Sequence, residues 1–358
     1  MRAAIIGCGV IGPVHAAALA QDRRVELAWA CDLDPQRARS LGAHKATTSV
    51  AEVLADPSVD VVCVCTPHPS HAELGRAVLS AGKHLIVEKP LGVTPEQIYA
   101  MAAADDGRRV ASAIFQHRFA PVNRRLAELC ATGAFGQIIE ANLHFRCLRD
   151  VSYYRSADWR GTWDGEGGGV LINQAIHGID LLLSFAGALR TVESASVGRK
   201  LPCLEAEDRC QATLRLANGA TARIDVANDH STSWLLEVRV RGSTGSFTID
   251  GSDRLIAIDH PSAALVAELT ALSQITFPPI PTAKSCYGPL HGLQIHDAID
   301  AIAAGRQPRL RVAEATMSSL AVLGIYHAAA TSKPVSLPIT AYQQPRAQTA
   351  LHNQESRS

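Results

Sequence analysis

The chain has no surplus of charge of either sign. Its 358 residues contain 34 Lys and Arg against 34 Asp and Glu, so the formal net charge at pH 7 is zero. No net field therefore favours nucleic acid or an anionic membrane as a partner. No apolar run reaches transmembrane length, and no secretory signal pattern opens the chain. We expect a cytoplasmic protein that has neither a membrane nor a nucleic-acid partner.

The chain also lacks the residue spacing of a zinc site. Nine cysteines are scattered along it, and several lie in apolar runs, where a thiol acts as a small hydrophobe. Cys63 and Cys65 are two residues apart, but no second Cys/His pair accompanies them at zinc spacing. We therefore predict no metal site, and the cysteine usage fits a reducing compartment.

The patterning of the first third predicts a parallel sheet wrapped by helices. An apolar fraction of 47% allows an ample core, and 358 residues exceed one ordinary domain. Over residues 2–115, continuous apolar strands alternate with helical segments, as in sheets buried on both faces. The strands are predicted at 3–6, 27–31, 59–65, 84–87 and 110–114, and the helices near 12–21, 35–41, 49–55, 70–81 and 95–105. Residues 1–118 are predicted to form this doubly wound α/β domain, of the Rossmann type.

After Gln116 the pattern is that of a second domain. Residues 191–250 alternate apolar and polar side chains between turns, as in an antiparallel sheet with one solvated face. Further elements are predicted near 121–131 (helix), 137–146 (strand), 170–186, 292–304 and 312–330 (helices). Residues 119–340 are therefore predicted to form an α+β domain with a large, open, mainly antiparallel sheet. The polar residues 341–358 are predicted to be a disordered tail.

A glycine pattern follows the first predicted strand and begins the first helix. It reads Gly7-Cys8-Gly9-Val10-Ile11-Gly12, in which Gly7 permits the turn, Gly9 lets a pyrophosphate approach and Gly12 allows close packing. The helix N-terminus stabilises a diphosphate through its free N–H groups. Asp32, 20 residues after Gly12, is placed to bind an adenosine ribose and to repel a 2′-phosphate. We predict NAD as the cofactor, bound by Gly7, Gly9, Val10, Ile11, Gly12 and Asp32; Arg37 and Arg39 keep NADP as the alternative.

Two more segments leave the carboxyl edge of the sheet, where ligands bind in such folds. In the first, Pro67 holds the loop extended, Thr66 offers polar atoms to the cofactor, and His71 either caps the next helix or contacts the cofactor. The second is Glu88-Lys89-Pro90. Its lysine is placed to hydrogen-bond the reacting oxygen, with a pKa tuned toward neutrality by burial and the cationic nicotinamide. A sharp turn is needed to aim that lysine, so we predict a cis Lys89–Pro90 bond.

A glycine-rich segment, Gly167-Gly168-Gly169, precedes the helix predicted at 170–186. On that helix Asn173, His177 and Asp180 are spaced i, i+4 and i+7 and are predicted to share a face, which favours a working imidazole over a packing role. The preceding loop is rich in aromatic residues whose faces suit a sugar ring, and an arginine in it could hold a hydroxyl, carboxylate or phosphate; packing of the loop is the alternative. These loop residues are Tyr153, Tyr154, Trp159, Arg160 and Trp163.

Together these motifs resemble the glucose–fructose oxidoreductase / inositol dehydrogenase (Gfo/Idh/MocA) family. Matching order and spacing extend over nearly all of residues 1–338 and include 81–84, 116–121 and 177–180. The resemblance implies NAD(P)-linked oxidation or reduction of sugars, cyclitols or their nucleotide derivatives. It also implies an open second-domain sheet that often mediates oligomer contacts. It places the family's catalytic lysine on Lys89 and its catalytic histidine on His177.

One departure from the family concerns Asn173, where many members carry Asp. An amide cannot take a proton, so we expect Asn173 to orient a substrate hydroxyl while Lys89 and His177 carry the proton. We predict an NAD-dependent oxidoreductase of a cyclic sugar or polyol. Further cofactor contacts are predicted for Thr66, Pro67, His71, Glu88, Lys89 and Gln116, and substrate contacts for Lys89, Gln116, Arg118, Trp159, Arg160, Trp163, Asn173 and His177.

Two other functions remain open at this point: a ketoreductase or dehydrogenase of a nucleotide-linked sugar, and a non-catalytic NAD-binding regulator. Intact Lys89 and His177 argue against the second. We also expect a homodimer or homotetramer. Apolar residues on both alternations of one strand (Leu235, Leu236, Val238 and Val240) would otherwise leave an apolar patch in water.

Overall fold

A computed structural model describes residues 1–228, 231–280 and 288–349 of the chain. The chain divides into two compact units, one formed by Met1–Phe119 with Thr276–Thr316 and the other by Ala120–Ile275 with Met317–Ser358. The first segment ends at Phe119, one residue beyond the predicted end of the first domain at residue 118. The segment Thr276–Thr316 differs, because the prediction placed it in the second domain.

The reason for that difference is the packing of helix α10 (Pro289–Ala304) on helix α1 (Gly12–Ala20). Ile295 and Ile299 of α10 are fully buried in the same apolar cluster as Leu19 of α1. Gln294 of α10 also accepts a hydrogen bond from the Phe115 N–H (3.0 Å) and donates one to the Ala113 carbonyl (2.6 Å). This segment therefore completes the core of the first unit.

The first unit is built on a parallel sheet, as predicted, with six strands where the sequence indicated five. Its strand order is β3-β2-β1-β4-β5-β6. The strands are β1 (Arg2–Ile6), β2 (Glu26–Cys31), β3 (Lys45–Thr47), β4 (Val61–Val64), β5 (His84–Val87) and β6 (Ala111–Ala113). The other helices are α2 (Pro35–Ser40), α3 (Val50–Ala55), α4 (His71–Ser80) and α5 (Pro95–Ala104). Every residue of β4 is buried, which explains its continuous apolar run.

The second unit contains an eight-stranded sheet in the order β13-β12-β11-β7-β10-β9-β8-β14. The pairing of β7 with β10 is parallel and the other pairings are antiparallel, so the predicted, mainly antiparallel sheet is confirmed. The strands are β7 (Ile138–Cys147), β8 (Leu189–Gly198), β9 (Arg209–Leu216), β10 (Thr221–Asn228), β11 (Trp234–Gly242), β12 (Ser246–Asp250), β13 (Leu255–Asp259) and β14 (Val335–Ser336). The helices are α6 (Pro121–Ala131), α7 (Val151–Tyr154), α8 (Ile176–Ala186) and α9 (Ala263–Ser273), and a π-helical turn spans Leu171–Ala175. Helix α11 (Val312–Thr331) begins within the first unit and belongs to the second from Met317 onward.

The predicted apolar patch on β11 is wrong. Leu236, Val238 and Val240 all point to the buried side of the sheet, because successive side chains of a strand alternate between its faces. The opposite face carries charged pairs between neighbouring strands, such as Arg241 with Glu140 at 3.1 Å. This face is therefore polar, and an oligomer built on it would not bury an apolar strip.

The described part of the C-terminal segment is packed, unlike the predicted disordered tail. Arg346 forms ion pairs with Asp164 (2.5 Å) and Glu205 (3.1 Å), and Thr349 is only 1% exposed. Residues 350–358 lie outside the described part of the chain. Within the described residues, no helix combines the length and apolar character needed to cross a membrane.

Candidate active site

The glycine turn between β1 and α1 has the geometry that a bound diphosphate needs. Gly7 has a φ of +94°, and a Cβ there would lie 2.6 Å from the Cys65 carbonyl. Gly9 faces open space, and a Cβ on Gly12 would overlap the Gly7 carbonyl oxygen. Within the described residues, no acceptor receives the backbone N–H groups of Gly9, Val10 or Ile11. The α1 terminus therefore presents unsatisfied donors beside an open glycine, which fits an anionic ligand.

Asp32 follows β2 and holds this turn in place. Its Oδ2 accepts from the Cys8 N–H (2.7 Å) and its Oδ1 from the Asp34 N–H (2.9 Å). The residue stays half-buried, so a ligand hydroxyl can still reach the carboxylate. Next to it, Leu33 is 92% exposed, and Val10 in the glycine turn is 64% exposed. Arg37, the alternative phosphate contact, lies 3.6 Å from Asp34.

The loop after β4 is tied to the loop after β5 by His71. Its Nδ1 lies 2.7 Å from the Pro90 carbonyl oxygen and its Nε2 lies 2.6 Å from that of Thr66. Burial lowers the pKa of His71, so the neutral ring donates to one of the two carbonyls at a time. The ring is 1% exposed, whereas Thr66 and Pro67 beside it are accessible to solvent. His71 thus connects the loop after β4 to the loop after β5. It is not the helix cap that the sequence suggested as one alternative.

Lys89 is the only residue from Leu85 to Val93 that is not buried. It follows β5 directly, and the predicted cis bond to Pro90 is confirmed. Glu88, by contrast, is 5% exposed, and its Oε1 lies 2.8 Å from the Nε2 atom of His15 on α1. The turn therefore presents the lysine at the sheet surface while its neighbour is held in the interior.

The His15–Glu88 contact is a buried ion pair. Burial opposes the ionisation of Glu88, but the hydrogen bond and charge of His15 outweigh it and lower the pKa of Glu88 to about 2. Burial likewise works against the imidazolium, yet Cys65, Cys63 and the Glu88 carboxylate together raise the pKa of His15 well above its ordinary value. His291 on α10 lies 3.9 Å from the same carboxylate, and burial lowers the pKa of His291 to about 4. One imidazole is thus charged and the other neutral.

The predicted junction residues lie in a 3₁₀ turn from Gln116 to Phe119. Gln116 is 6% exposed, and its Oε1 atom is buried with no hydrogen-bond donor in the described part of the protein. Arg118 is half-exposed, and its N–H donates to the Phe115 carbonyl (3.1 Å). Gln116 therefore has an unsatisfied acceptor, as a residue that awaits a ligand would have.

In the second unit, Asn173 and His177 are the only two residues from Glu166 to Leu183 that are not buried. Asn173 lies in the π-helical turn and His177 in the first turn of α8. Asp180 does not share their access, contrary to the prediction: it is 1% exposed and accepts from Ser318 Oγ at 2.6 Å. The π-turn ends at Ala175, so His177 and Asp180 both lie in regular α8, where Asp180 faces Ser318 of α11 in the interior.

The glycines before this turn lie against two buried side chains. Gly168 has a φ of +153°, and a Cβ there would overlap the Tyr326 ring. Glu207 accepts from the N–H groups of Gly169 (2.8 Å) and Leu171 (2.9 Å) and from the Tyr326 hydroxyl (2.9 Å). Burial raises the pKa of Glu207 to about 8. Glu207, which the sequence did not single out, therefore anchors the backbone that leads to Asn173.

Asn173 belongs to a hydrogen-bonded cluster centred on the Tyr153 hydroxyl. That oxygen lies 3.2 Å from Asn173 Nδ2, 3.0 Å from Gln174 Nε2 and 2.7 Å from Arg160 Nη1. Asn173 Nδ2 also donates to Oε1 of Glu166, a carboxylate that is 1% exposed. The cluster thus joins a buried acid to the residue that replaces the family's Asp.

The two predicted tryptophans differ. Trp159 is half-buried, with the Arg160 guanidinium 4.5 Å from its ring centroid. Trp163 is 1% exposed and packs edge-to-face on Tyr326 at 5.1 Å, and Tyr154 is 4% exposed. Trp163 and Tyr154 are therefore packing residues in this structure and present no face to a ligand. In the described residues, no group of three or more His, Cys, Asp or Glu side chains could hold a metal ion.

Two family models match the chain. The model of the oxidoreductase family with an NAD-binding Rossmann fold matches residues 1–115, and the GFO/IDH/MocA C-terminal domain matches residues 123–248. D-glucoside 3-dehydrogenase of Escherichia coli is 30% identical over 67% of this chain and 72% of its own length. The chain belongs to the Gfo/Idh/MocA oxidoreductase family. Its first unit is accordingly an NAD-binding Rossmann domain.

Two other members of the family are similar along their whole length. Levoglucosan dehydrogenase of Pseudarthrobacter phenanthrenivorans is 27% identical over 94% of this chain and 98% of its own. The WlbA dehydrogenase of Bordetella pertussis, solved in complex with NADH and UDP-GlcNAcA, is 26% identical with a TM-score of 0.84, covering 95% of this chain and 98% of its own. This chain is therefore similar both to a protein named for levoglucosan and to one solved with UDP-GlcNAcA.

Proposed function

We propose that this oxidoreductase transfers a hydride between NAD and a ring carbon of a sugar, cyclitol or sugar derivative, with Lys89 and His177 as its acid/base pair. The observation that carries the proposal is selective exposure. In each unit, the segment that bears the expected catalytic residue is buried except at Lys89 in one case and at Asn173 and His177 in the other. Ionisable side chains placed this way are available to a ligand and held in position by their buried neighbours.

The first unit's residues would hold the cofactor as follows. The unsatisfied N–H groups of Gly9, Val10 and Ile11 would bind the diphosphate, and Asp32 would bind the adenosine ribose. The accessible Thr66 and Pro67 and the buried acceptor of Gln116 would line the rest of the site, with His71 and Glu88 positioning it from the interior. The nicotinamide ring, when bound, supplies the hydride chemistry.

Proton transfer would fall to the second set of residues. Lys89 would accept a hydrogen bond or a proton from the reacting hydroxyl. His177 would act with Lys89 in removing the proton of that hydroxyl. Glu166 and Tyr153 orient the amide of Asn173, which would hydrogen-bond a hydroxyl of the sugar ring and orient it. Arg118, Trp159 and Arg160 would complete the substrate contacts, and Trp163 is left out because it is buried.

A nucleotide-linked sugar is the second candidate substrate. Its support is the likeness to WlbA, whose structure contains UDP-GlcNAcA. The first candidate, an unlinked cyclic sugar or polyol, has similar support from levoglucosan dehydrogenase. Sites made of distributed hydrogen-bonding groups reject analogues that lack the matching hydroxyls, so either class would be preferred over lactate or short alcohols.

Turnover of a substrate panel tests this function. NADH formation would be followed on inositols, hexoses, anhydrosugars and nucleotide sugars, and on lactate, malate and short alcohols as the acyclic set. Activity on at least one cyclic compound is expected. Activity confined to the acyclic set would overturn the substrate assignment. Tight NAD binding without turnover of any compound would favour a non-catalytic regulator.

We also propose a homodimer or homotetramer in which the polar face of the second unit's sheet is the contact. Its support is the ladder of ionic pairs there, for example Arg146 with Asp225 at 2.6 Å, which offers both signs of charge to a second copy. Light scattering at micromolar concentration, at low and high salt, would detect such an assembly. A monomer at both salt concentrations would contradict it.

A further inference from the structure

Two guanidinium groups lie over one tyrosine ring in the second unit. The Arg160 guanidinium carbon is 4.5 Å from the Tyr153 ring centroid, and that of Arg149 is 5.1 Å from it. Arg149 also lies 5.6 Å from the centroid of Trp234. Aromatic faces stabilise such cations, and they hold the two planar groups in a fixed position.

Neither of these arginines forms an ion pair with a carboxylate in the described part of the protein. Among the described residues, no carboxylate lies within 4 Å of Arg149 or Arg160. Two other partly buried arginines of the same unit do have such partners: Arg146 pairs with Asp225 at 2.6 Å and Arg209 with Asp208 at 3.1 Å. Two like charges close to one ring repel each other, and a bound anion would remove that cost.

Both arginines also have a donor that nothing in the described protein satisfies. The Nε atoms of Arg149 and Arg160 are buried and have no hydrogen-bond acceptor. Of the η nitrogens, Arg149 Nη1 donates to the Leu148 carbonyl (2.9 Å) and Arg160 Nη1 to the Tyr153 hydroxyl (2.7 Å). Guanidinium groups bind carboxylate and phosphate through just such paired N–H donors. An anionic acceptor would satisfy these donors and offset the two positive charges.

The position of the pair connects it to the proposed substrate site. Arg160 and Asn173 donate to the same Tyr153 hydroxyl, at 2.7 and 3.2 Å. A substrate hydroxyl at Asn173 would thus lie one side chain away from the guanidinium of Arg160. A sugar ring whose hydroxyl lies at Asn173 could therefore place an anionic substituent against the Arg160 guanidinium.

We propose that Arg149, Tyr153 and Arg160 form an oxyanion subsite for a carboxylate or phosphate carried by the substrate, so that the preferred substrates are acidic sugars. This inference rests on the proposed sugar oxidoreductase function and adds the charge of the substrate to it. Two sources share the chemistry: a carboxylate on the ring, as in a uronate, and a phosphate linked to it. The binding experiment distinguishes them.

Calorimetric titration of the NADH-loaded protein at constant ionic strength tests the subsite. The ligands are D-glucuronate, D-glucose, glucose 1-phosphate, UDP-glucose and inorganic phosphate. Arg149→Gln and Arg160→Gln remove the charge at similar size. Arg155→Gln is the matched control, because Arg155 is an exposed arginine of the same segment. Melting temperatures verify that each variant is folded, and the corresponding Arg→Met variants, which also remove the charge, replace any that is not.

The acidic sugars should bind at least tenfold more tightly than glucose, and each Gln variant should lose most of that advantage while glucose binding changes less than threefold. A preference for glucuronate identifies a carboxylate, and one for the phosphorylated sugars identifies a phosphate. Equal binding of glucose and the acidic sugars, or equal losses for both in the Gln variants, would overturn the subsite. Phosphate binding that depends on the two arginines, without binding or turnover of any sugar, would retain the subsite and reject the sugar oxidoreductase function. Absence of any arginine-dependent anion binding rejects the subsite.

Discussion

His15 and Glu88 join the glycine-turn helix to the strand end that carries Lys89. Their Nε2–Oε1 distance is 2.8 Å, and both side chains are almost completely buried. The backbone N–H of Lys89 also lies 3.3 Å from the other oxygen of Glu88. The two loops that are proposed to hold the diphosphate and the reacting oxygen are therefore fixed to each other by one ion pair.

Loss of this pair should destabilise the fold in a pH-dependent way. Removing one partner of a buried ion pair costs about 3–5 kcal/mol, so Glu88→Gln should lower the free energy of unfolding at pH 7 by about that amount. The pKa of Glu88 in the folded state is lowered to about 2, below its ordinary value of 4.5. Its stabilisation is therefore present above pH 4.5 and is lost as the pH falls toward 2.

Urea unfolding of wild type and Glu88→Gln between pH 2 and 7 measures this difference. The two curves of stability against pH should be separated at pH 7 and converge toward pH 2. Glu73→Gln is the control, because Glu73 is an exposed carboxylate on α4. A constant separation over the whole pH range would show that the ion pair is not its cause.

Lys89→Ala and His177→Ala should each lower kcat by roughly 10² or more, the usual contribution of a general acid or base. NAD affinity should be nearly unchanged, because neither side chain belongs to the glycine turn. Steady-state kinetics and NADH titration provide the two measurements. Lys333→Ala, at an exposed lysine of the second unit, serves as the control. Near-native turnover in either variant would remove that residue from the proposed mechanism.

Cofactor choice should depend on Asp32 and on what Asp34 does to Arg37. The wild type should prefer NAD to NADP by at least tenfold in kcat/KM, or about 1.4 kcal/mol. Arg37 lies 3.6 Å from Asp34, and Asp34 also caps α2 by accepting from the Gln36 N–H. Asp34→Asn keeps a capping side chain but releases the arginine, so it should improve the use of NADP. Kinetics with both cofactors decide this, and an NADP preference in the wild type would show that Arg37 or a neighbour overrides Asp32.

Local sequence pattern predicted the elements that are buried on a regular period. The parallel strands of the first unit are continuous apolar runs, and α6 begins and ends at the predicted residues, Pro121 and Ala131. Strand β3 was missed because Lys45-Ala46-Thr47 lies at the sheet edge and is largely exposed. Helix α9 was missed as well, since it has apolar residues around most of its circumference and so gives no one-sided pattern.

The candidate site was predictable where a motif fixes the backbone and not where distant residues meet. Lys89 and His177 follow from their position after a strand and a glycine-rich segment. Composition could not separate the half-buried Trp159 from the buried Trp163, because both occupy one aromatic loop. The contacts of Glu166 with Asn173 and of His15 with Glu88 form only in the folded chain. The spacing of these residues in the sequence does not predict them.

The neighbouring carboxylate of Glu166 makes a specific prediction for Asn173. Asn173→Asp restores the acid that many family members carry, but here it would place a second carboxylate within hydrogen-bonding distance of Glu166, which is 1% exposed. Two like charges cannot both remain ionised at such a distance, so one of the two pKa values should rise. The variant should therefore have a lower kcat than wild type, by a smaller factor than Lys89→Ala, and a new ionisation in its pH profile.

Adding Glu166→Gln should undo this effect, because the amide can donate to the introduced carboxylate. The double variant should recover most of the wild-type kcat and lose the extra ionisation. Glu166→Gln alone should lower kcat, because its amide has one acceptor oxygen for the two donors, Gly161 N–H and Asn173 Nδ2, that the carboxylate serves. The pH dependence of kcat for the four proteins forms a double-mutant cycle. If the two substitutions prove additive, Glu166 and Asn173 act independently and the pairing has no catalytic consequence. A strongly non-additive cycle would identify Glu166 as the positioning residue that compensates for the amide at position 173.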